Sequence, residues 1–126
     1  MKTGKSLICT KFQVKLKNRT QWERWTVELN AILGGIVGST GIVLKYVIWK
    51  DDAPVLLANV EWEEMAIAAV PLQGNKYKQD RKLVHQIILR NIAEDSDAYT
   101  YLKPNIRMED GRTDFKALFE IGRAHV

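Results

Sequence analysis

The stretch Thr20-Gln21-Trp22-Glu23-Arg24-Trp25-Thr26-Val27-Glu28-Leu29-Asn30-Ala31-Ile32-Leu33-Gly34-Gly35 decides the fold. Trp22, Trp25, Leu29, Ile32 and Leu33 recur at steps of three and four, and Ile36 continues the series. That spacing lays one apolar stripe along a helix. Thr20 and Glu23 fit a capping box, in which a hydroxyl accepts from a first-turn amide and a carboxylate reaches back to the cap. Gly34 and Gly35 supply the stop, and Gly38 and Gly41 extend the connection.

Upstream of this helix the period changes. Ile8, Thr10, Phe12, Val14 and Leu16 alternate with Lys11, Gln13, Lys15 and Lys17, which predicts a half-buried strand over 7–17. Residues 1–19 hold Lys2, Lys5, Lys11, Lys15, Lys17 and Arg19 and no acid. A basic arm of this kind suits an anionic partner such as RNA or DNA, and a solvated strand face is its plainer reading.

Downstream, residues 42–49 are apolar and β-branched. Periodicity does not separate a buried strand from a short buried helix there. Asp51-Asp52-Ala53-Pro54 reads as a loop. A helix from Asn59 to Pro71 has acidic first-turn residues Glu61, Glu63 and Glu64, suited to the positive end of the helix dipole. Its inner face is Trp62, Met65, Ala66, Ala69 and Val70. After Gly74 a longer helix is expected over 76–93, buried through Tyr77, Val84, Ile87, Ile88 and Asn91 or Ile92. Ser96 or Asp97 can cap a short helix ending near Pro104. Asp110 or Thr113 can start a last one carrying Phe115, Leu118 and Phe119. The fold class is mainly α: about five short-to-medium helices with one basic N-terminal strand. The predicted core residues are Trp22, Trp25, Leu29, Leu33, Tyr77, Val84 and Ile88.

The chain has 126 residues, 46% hydrophobic content and a net charge of +4. This suffices for one domain with a modest core. One cysteine, Cys9, excludes an internal disulfide and suits a reducing compartment. No apolar run is long enough to cross a membrane or to serve as a signal peptide.

Motifs with chemistry are scarce. Gly4-Lys5-Ser6 lacks the earlier glycine of a phosphate-binding loop. The glycines of 34–38 follow a helix, where a dinucleotide fingerprint must follow a strand. His85 has no Ser or Cys at a suggestive spacing and reads as a partly exposed structural histidine. Asp51-Asp52 and Glu63-Glu64 read as solvated charges. Trp22 and Trp25 lie on an apolar face, so core packing outweighs base stacking as their role. No catalytic residue, cofactor or metal site is expected.

Several patterns occur in order. Trp22-x-x-Trp25 with Leu29 and Leu33 resembles the aromatic helix near the start of copia-type Gag proteins. Gly41-Ile-Val-Leu-Lys-Tyr-Val-Ile48 resembles a segment of Gag-like proteins of algal and diatom retroelements, with Val43 where that pattern prefers proline. Pro71-Leu72-x-Gly74-x-x-Tyr77-x-x-Asp80 resembles another segment of the same set. Asp97-Ala98-x-x-Tyr101-Leu102-Lys103-Pro104, followed by Asp110-Gly111-Arg112-x-Asp114-Phe115-x-x-Leu118, resembles its downstream end. The resemblance spans about residues 12–119. It implies a helical capsid domain, favours helix for 42–49, and implies a homo-oligomer that packages element RNA in a cytoplasmic virus-like particle. It implies no membrane and no small-molecule substrate. The zinc knuckle common in that family is missing from this sequence. On this reading residues 1–19 form the basic arm and 20–120 the capsid-like domain. Lys5, Lys11, Lys15, Lys17 and Arg19 are the candidate nucleic-acid contacts.

Ile121-Gly122-Arg123-Ala124-His125-Val126 match what one frame of a common short-read sequencing adapter encodes before a stop. The natural sequence is therefore expected to continue past Glu120 in a different way, and His125 to carry no function. Without Arg123 the charge falls from +4 to +3, and the basic character survives. The competing expectations are a small nucleic-acid-binding module unrelated to Gag, and an enzyme fragment whose site lies past Glu120.

Overall fold

The structure, a computed structural model, describes residues 11–48 and 71–123. Helix makes up 67% of the described residues, and they contain no sheet. The α-helices among them are α1 (Trp22–Leu33), α2 (Asn75–Arg90), α3 (Asp97–Leu102) and α4 (Gly111–Arg123). Short 3-10 segments lie at Arg19–Gln21, Leu44–Ile48 and Lys103–Met108. The helix expected from Asn59 to Pro71 lies outside the described residues, apart from Pro71 itself. So do Cys9, Trp49, Trp62 and His125.

The stripe on α1 buries Trp25, Leu29 and Leu33, while Trp22 and Ile32 pack partly against the same core. The cap sits two residues earlier than the sequence suggested. Asn18 Oδ1 accepts from the Thr20 amide at 2.8 Å, and Gln21 Oε1 accepts from the amides of Lys17 and Asn18 at 3.1 and 3.0 Å. The reason is the 3-10 turn Arg19–Gln21, which joins the front of α1 and moves the first open amides back. The helix stops at Gly34 as expected, though Gly34 itself keeps a helical φ of −74°.

Beyond α1 the chain doubles back through Gly41, whose φ of 87° is open to glycine at little cost. Val37 and Val43 pair in an isolated antiparallel bridge. Within 42–49, the described residues Leu44–Ile48 form a 3-10 turn that buries Leu44, Tyr46, Val47 and Ile48. α2 is shorter than expected, ending at Arg90, with Asn91 and Ile92 buried just after it. Ser96 caps α3, its Oγ accepting from the Tyr99 amide at 3.2 Å. Asp110 caps α4, its Oδ1 accepting from the amides of Arg112 and Thr113 at 3.0 and 3.3 Å.

α4 is the hub. It packs on α2, α3, α1 and the Leu44–Ile48 turn. Its approach to α2 is close because position 111 is glycine: a Cβ there would stand 2.5 Å from Val84 Cγ1 and 2.9 Å from the His85 amide nitrogen. Leu118 and Ile121 are buried, and Gly122 lies against the Trp22 indole. Helix packing thus runs through position 122.

The arm keeps its predicted alternation without becoming a strand in its described part. Phe12 and Leu16 are buried, Val14 is half-buried, and Lys11, Gln13, Lys15 and Lys17 are exposed. Leu16 makes a single parallel bridge with Ile92. Its amide donates to the Asn91 carbonyl and its carbonyl accepts from Ala93, both at 3.0 Å. The neighbour is the irregular end of a helix, so no ladder can propagate. Ile8 and Thr10 lie outside the described residues.

Asn91 fastens this corner. Its Oδ1 accepts from the Phe12 amide at 2.8 Å and its Nδ2 donates to the Ile87 carbonyl at 2.8 Å. Its carbonyl also accepts from Trp25 Nε1 at 3.1 Å. The residue is fully buried, so replacing it strands a buried amide. Asn91→Ala is expected to cost about 2–3 kcal/mol, measured as the loss of unfolding free energy in urea.

Candidate functional site

The arm carries four of the five candidate nucleic-acid contacts into the described structure. Lys11, Lys15, Lys17 and Arg19 are all exposed, and Lys5 lies outside. With Phe12 and Leu16 buried, the neighbouring lysines Lys11, Lys15 and Lys17 lie in solvent. The cations do not converge on one pocket. Lys15 lines an open groove of about 460 Å³ with Leu89, Arg90, Ile92, Tyr99, Glu94 and Asp95. Arg19 lines a separate cleft of about 350 Å³ beside Asp97, Tyr101 and Ile121.

α2 adds a basic surface that the sequence reading did not single out. Lys76, Lys78, Lys82 and Arg90 are exposed on it, with Arg81 half-exposed. The helix has one acid, Asp80, and that side chain is buried. Arg81 leans over the Tyr77 ring, 5.6 Å from its centre, and Lys82 pairs with Glu109 at 3.6 Å. Helical spacing would have shown this surface, since Tyr77, Val84 and Ile88 mark the opposite face. Lys15 and Arg90, sharing one groove, connect it to the arm.

The two described tryptophans, Trp22 and Trp25, serve packing. Trp25 is buried, with Phe12 at 5.5 Å and Trp22 at 6.0 Å between ring centres. Trp22, half-buried, also meets Phe115 and Phe119, each at 6.0 Å. Contacts of this kind add about 0.5–1.5 kcal/mol each beyond area burial. Leu29, Leu33, Tyr77, Val84 and Ile88 are buried as predicted.

Histidine 85 is not where the sequence reading put it. It is buried rather than partly exposed, and its Nδ1 stands 2.5 Å from Asp114 Oδ2. The ring falls on the core side because the close approach at Gly111 brings α4 over this part of α2. Asp80 is likewise buried. Its Oδ1 accepts from the Ser39 amide at 2.7 Å and its Oδ2 from Tyr46 Oη at 2.8 Å. The Gly38 backbone presses on the same carboxylate: a Cβ there would lie 2.5 Å from Asp80 Oδ2. These acids tie distant segments together. Among the described residues no group of three His, Cys, Asp or Glu side chains could hold a metal ion. No described helix is long and apolar enough to cross a membrane.

Comparison with protein families, with characterised proteins and with solved structures finds no match.

Burial and the Asp80 hydrogen bond push the Tyr46 hydroxyl well above its ordinary value of 10, and burial followed by the Asp110 charge raises Tyr77. Both folded values exceed the unfolded one. Their contribution to stability is therefore whole below pH 10 and is lost as pH rises through the folded values. The urea midpoint is expected to fall above pH 10. In Tyr46→Phe that fall should be shallower, with a cost at neutral pH of about 1–3 kcal/mol from the lost bond to Asp80.

Proposed function

We propose that the protein is a Gag-like structural protein that binds RNA and associates with copies of itself. Its basic surface is the observation that carries this reading. Every exposed charged residue of the described arm (Lys11, Lys15, Lys17, Arg19) and of α2 (Lys76, Lys78, Lys82, Arg90) is a cation. Segments far apart in sequence present like charges, and Lys15 and Arg90 bridge them. Such a surface lowers its own electrostatic cost by drawing in a polyanion and releasing that polymer's counterions. Glu94 and Asp95 at the edge of the groove limit the track on one side.

The mainly helical architecture and the ordered Trp22, Gly41, Pro71 and Asp110 patterns support the Gag-like part of the reading. In that role the domain packages element RNA within a virus-like particle. The particle itself and its cytoplasmic location rest on the resemblance.

Fluorescence anisotropy with a labelled single-stranded RNA tests the surface. Affinity should fall as salt rises. The double change Lys15→Glu with Arg90→Glu should weaken binding and lower the salt slope by roughly 1.4, at about 0.7 per phosphate contact on a single strand. Binding that ignores salt, or is absent, removes the RNA role. Sedimentation at rising concentration tests association. A monomer throughout, with RNA binding intact, would favour a small binding module over a capsid protein.

A further inference from the structure

The arm is tied to α3 by a backbone bond, in which the Ala98 amide donates to the Lys17 carbonyl at 2.9 Å. Ala98 is buried at this contact. Two clefts open beside it. The larger, of about 460 Å³, holds Lys15 from the arm and Tyr99 from α3, with Glu94 and Asp95. The smaller, of about 350 Å³, holds Arg19 from the arm and Tyr101 from α3, with Asp97. The chemistry repeats: each cleft has an arm cation, an α3 tyrosine and a carboxylate. Local geometry produces the repeat. Lys15 and Arg19 lie two residues to either side of the bonded Lys17. Residues two apart on a helix do not share a face, so Tyr99 and Tyr101 turn to different sides.

We propose, on the footing of the RNA-binding reading, that these clefts are adjacent base subsites for an unpaired RNA strand, with Tyr99 and Tyr101 as stacking platforms and Lys15 and Arg19 as phosphate contacts. Tyr101 is 37% exposed. Tyr99 is half-buried, with Lys103 Nζ 6.0 Å from its ring centre. A ring open to solvent beside a cation suits a single strand, which lays its base on the ring and its phosphate on the cation. Four residues of chain separate Lys15 from Arg19, a reach of at most about 14 Å, so one strand can meet both.

The acids decide between strand and duplex. Glu94, Asp95 and Asp97 are exposed in the same clefts as the cations. A duplex presents its phosphates outward, and these carboxylates repel them. An unpaired base turns out its own edge, whose amino and imino N–H groups a carboxylate accepts. The mixed charge of the clefts therefore opposes a ridge of phosphates and favours a base lying inward from them.

The test is fluorescence anisotropy of the 126-residue chain with three probes: a labelled oligouridylate, the same strand paired with oligoadenylate, and an abasic strand of equal length. The free strand should bind more tightly than the duplex or the abasic strand. Tyr101→Ala should weaken binding of the free strand by about five- to hundredfold, the range for one lost base–aromatic stack, and leave the abasic strand unchanged. Tyr101→Phe keeps the ring and should restore the affinity. Equal affinity for all three probes, with salt dependence retained, would overturn the subsites and leave the RNA-binding reading standing. Unchanged binding of the free strand by Tyr101→Ala would do the same. Failure of the unmodified chain to bind any of the three would overturn both. The abasic comparison needs no variant, so it decides even where Tyr101→Ala fails to fold.

Discussion

The buried side chain of Asn91 is the constraint on which the rest of the architecture depends. It stands just past the end of α2, where a helix leaves carbonyls open and the arm arrives with amides to satisfy. The amide group serves both needs, taking the Phe12 N–H and giving its own to Ile87. The Asn91 carbonyl receives Leu16 and the Trp25 indole. The arm, α1 and α2 are joined at one residue. Phe12 and Leu16 can then enter the core, and their lysine neighbours are turned to solvent. The basic surface is thus a consequence of how the corner is closed.

Two more polar nodes work in the same way. Asp80 gathers the Ser39 loop and Tyr46 onto α2, and the His85–Asp114 pair sets α4 against the next turn of the same helix. Each node ties segments about thirty to eighty residues apart, and each lies where an unmet polar group would be expensive. A modest apolar core gains from such ties a single preferred arrangement. Their side chains are spent on holding the fold.

The sequence by itself determined the described helices α1 to α4. Apolar residues at three- and four-residue steps placed α1 and the buried face of α2, and the choices offered at Ser96 and Asp110 proved to be the caps of α3 and α4. Among the described arm residues it also marked Phe12 and Leu16 as the ones that face inward. The boundaries shifted by a turn or less: the α1 cap moved to Asn18, and α2 closed at Arg90. Both shifts arise where a 3-10 turn or a side-chain bond competes with the regular helix pattern.

Tertiary structure alone decided the partners of the buried polar groups. Asp80 falls between Tyr77 and Val84 on the apolar face, and Asp114 stands one turn before Leu118. Their spacing therefore signalled burial, while their type argued against it. A charge can enter an interior only when a specific partner arrives, and that partner comes from a distant segment whose position local patterns do not encode. The same reason hid His85, whose burial follows from the close approach that Gly111 permits. It also hid the joined basic surface, since Lys15 and Arg90 become neighbours only when the arm docks beside the end of α2. Local periodicity is a property of one segment; pairing is a property of two.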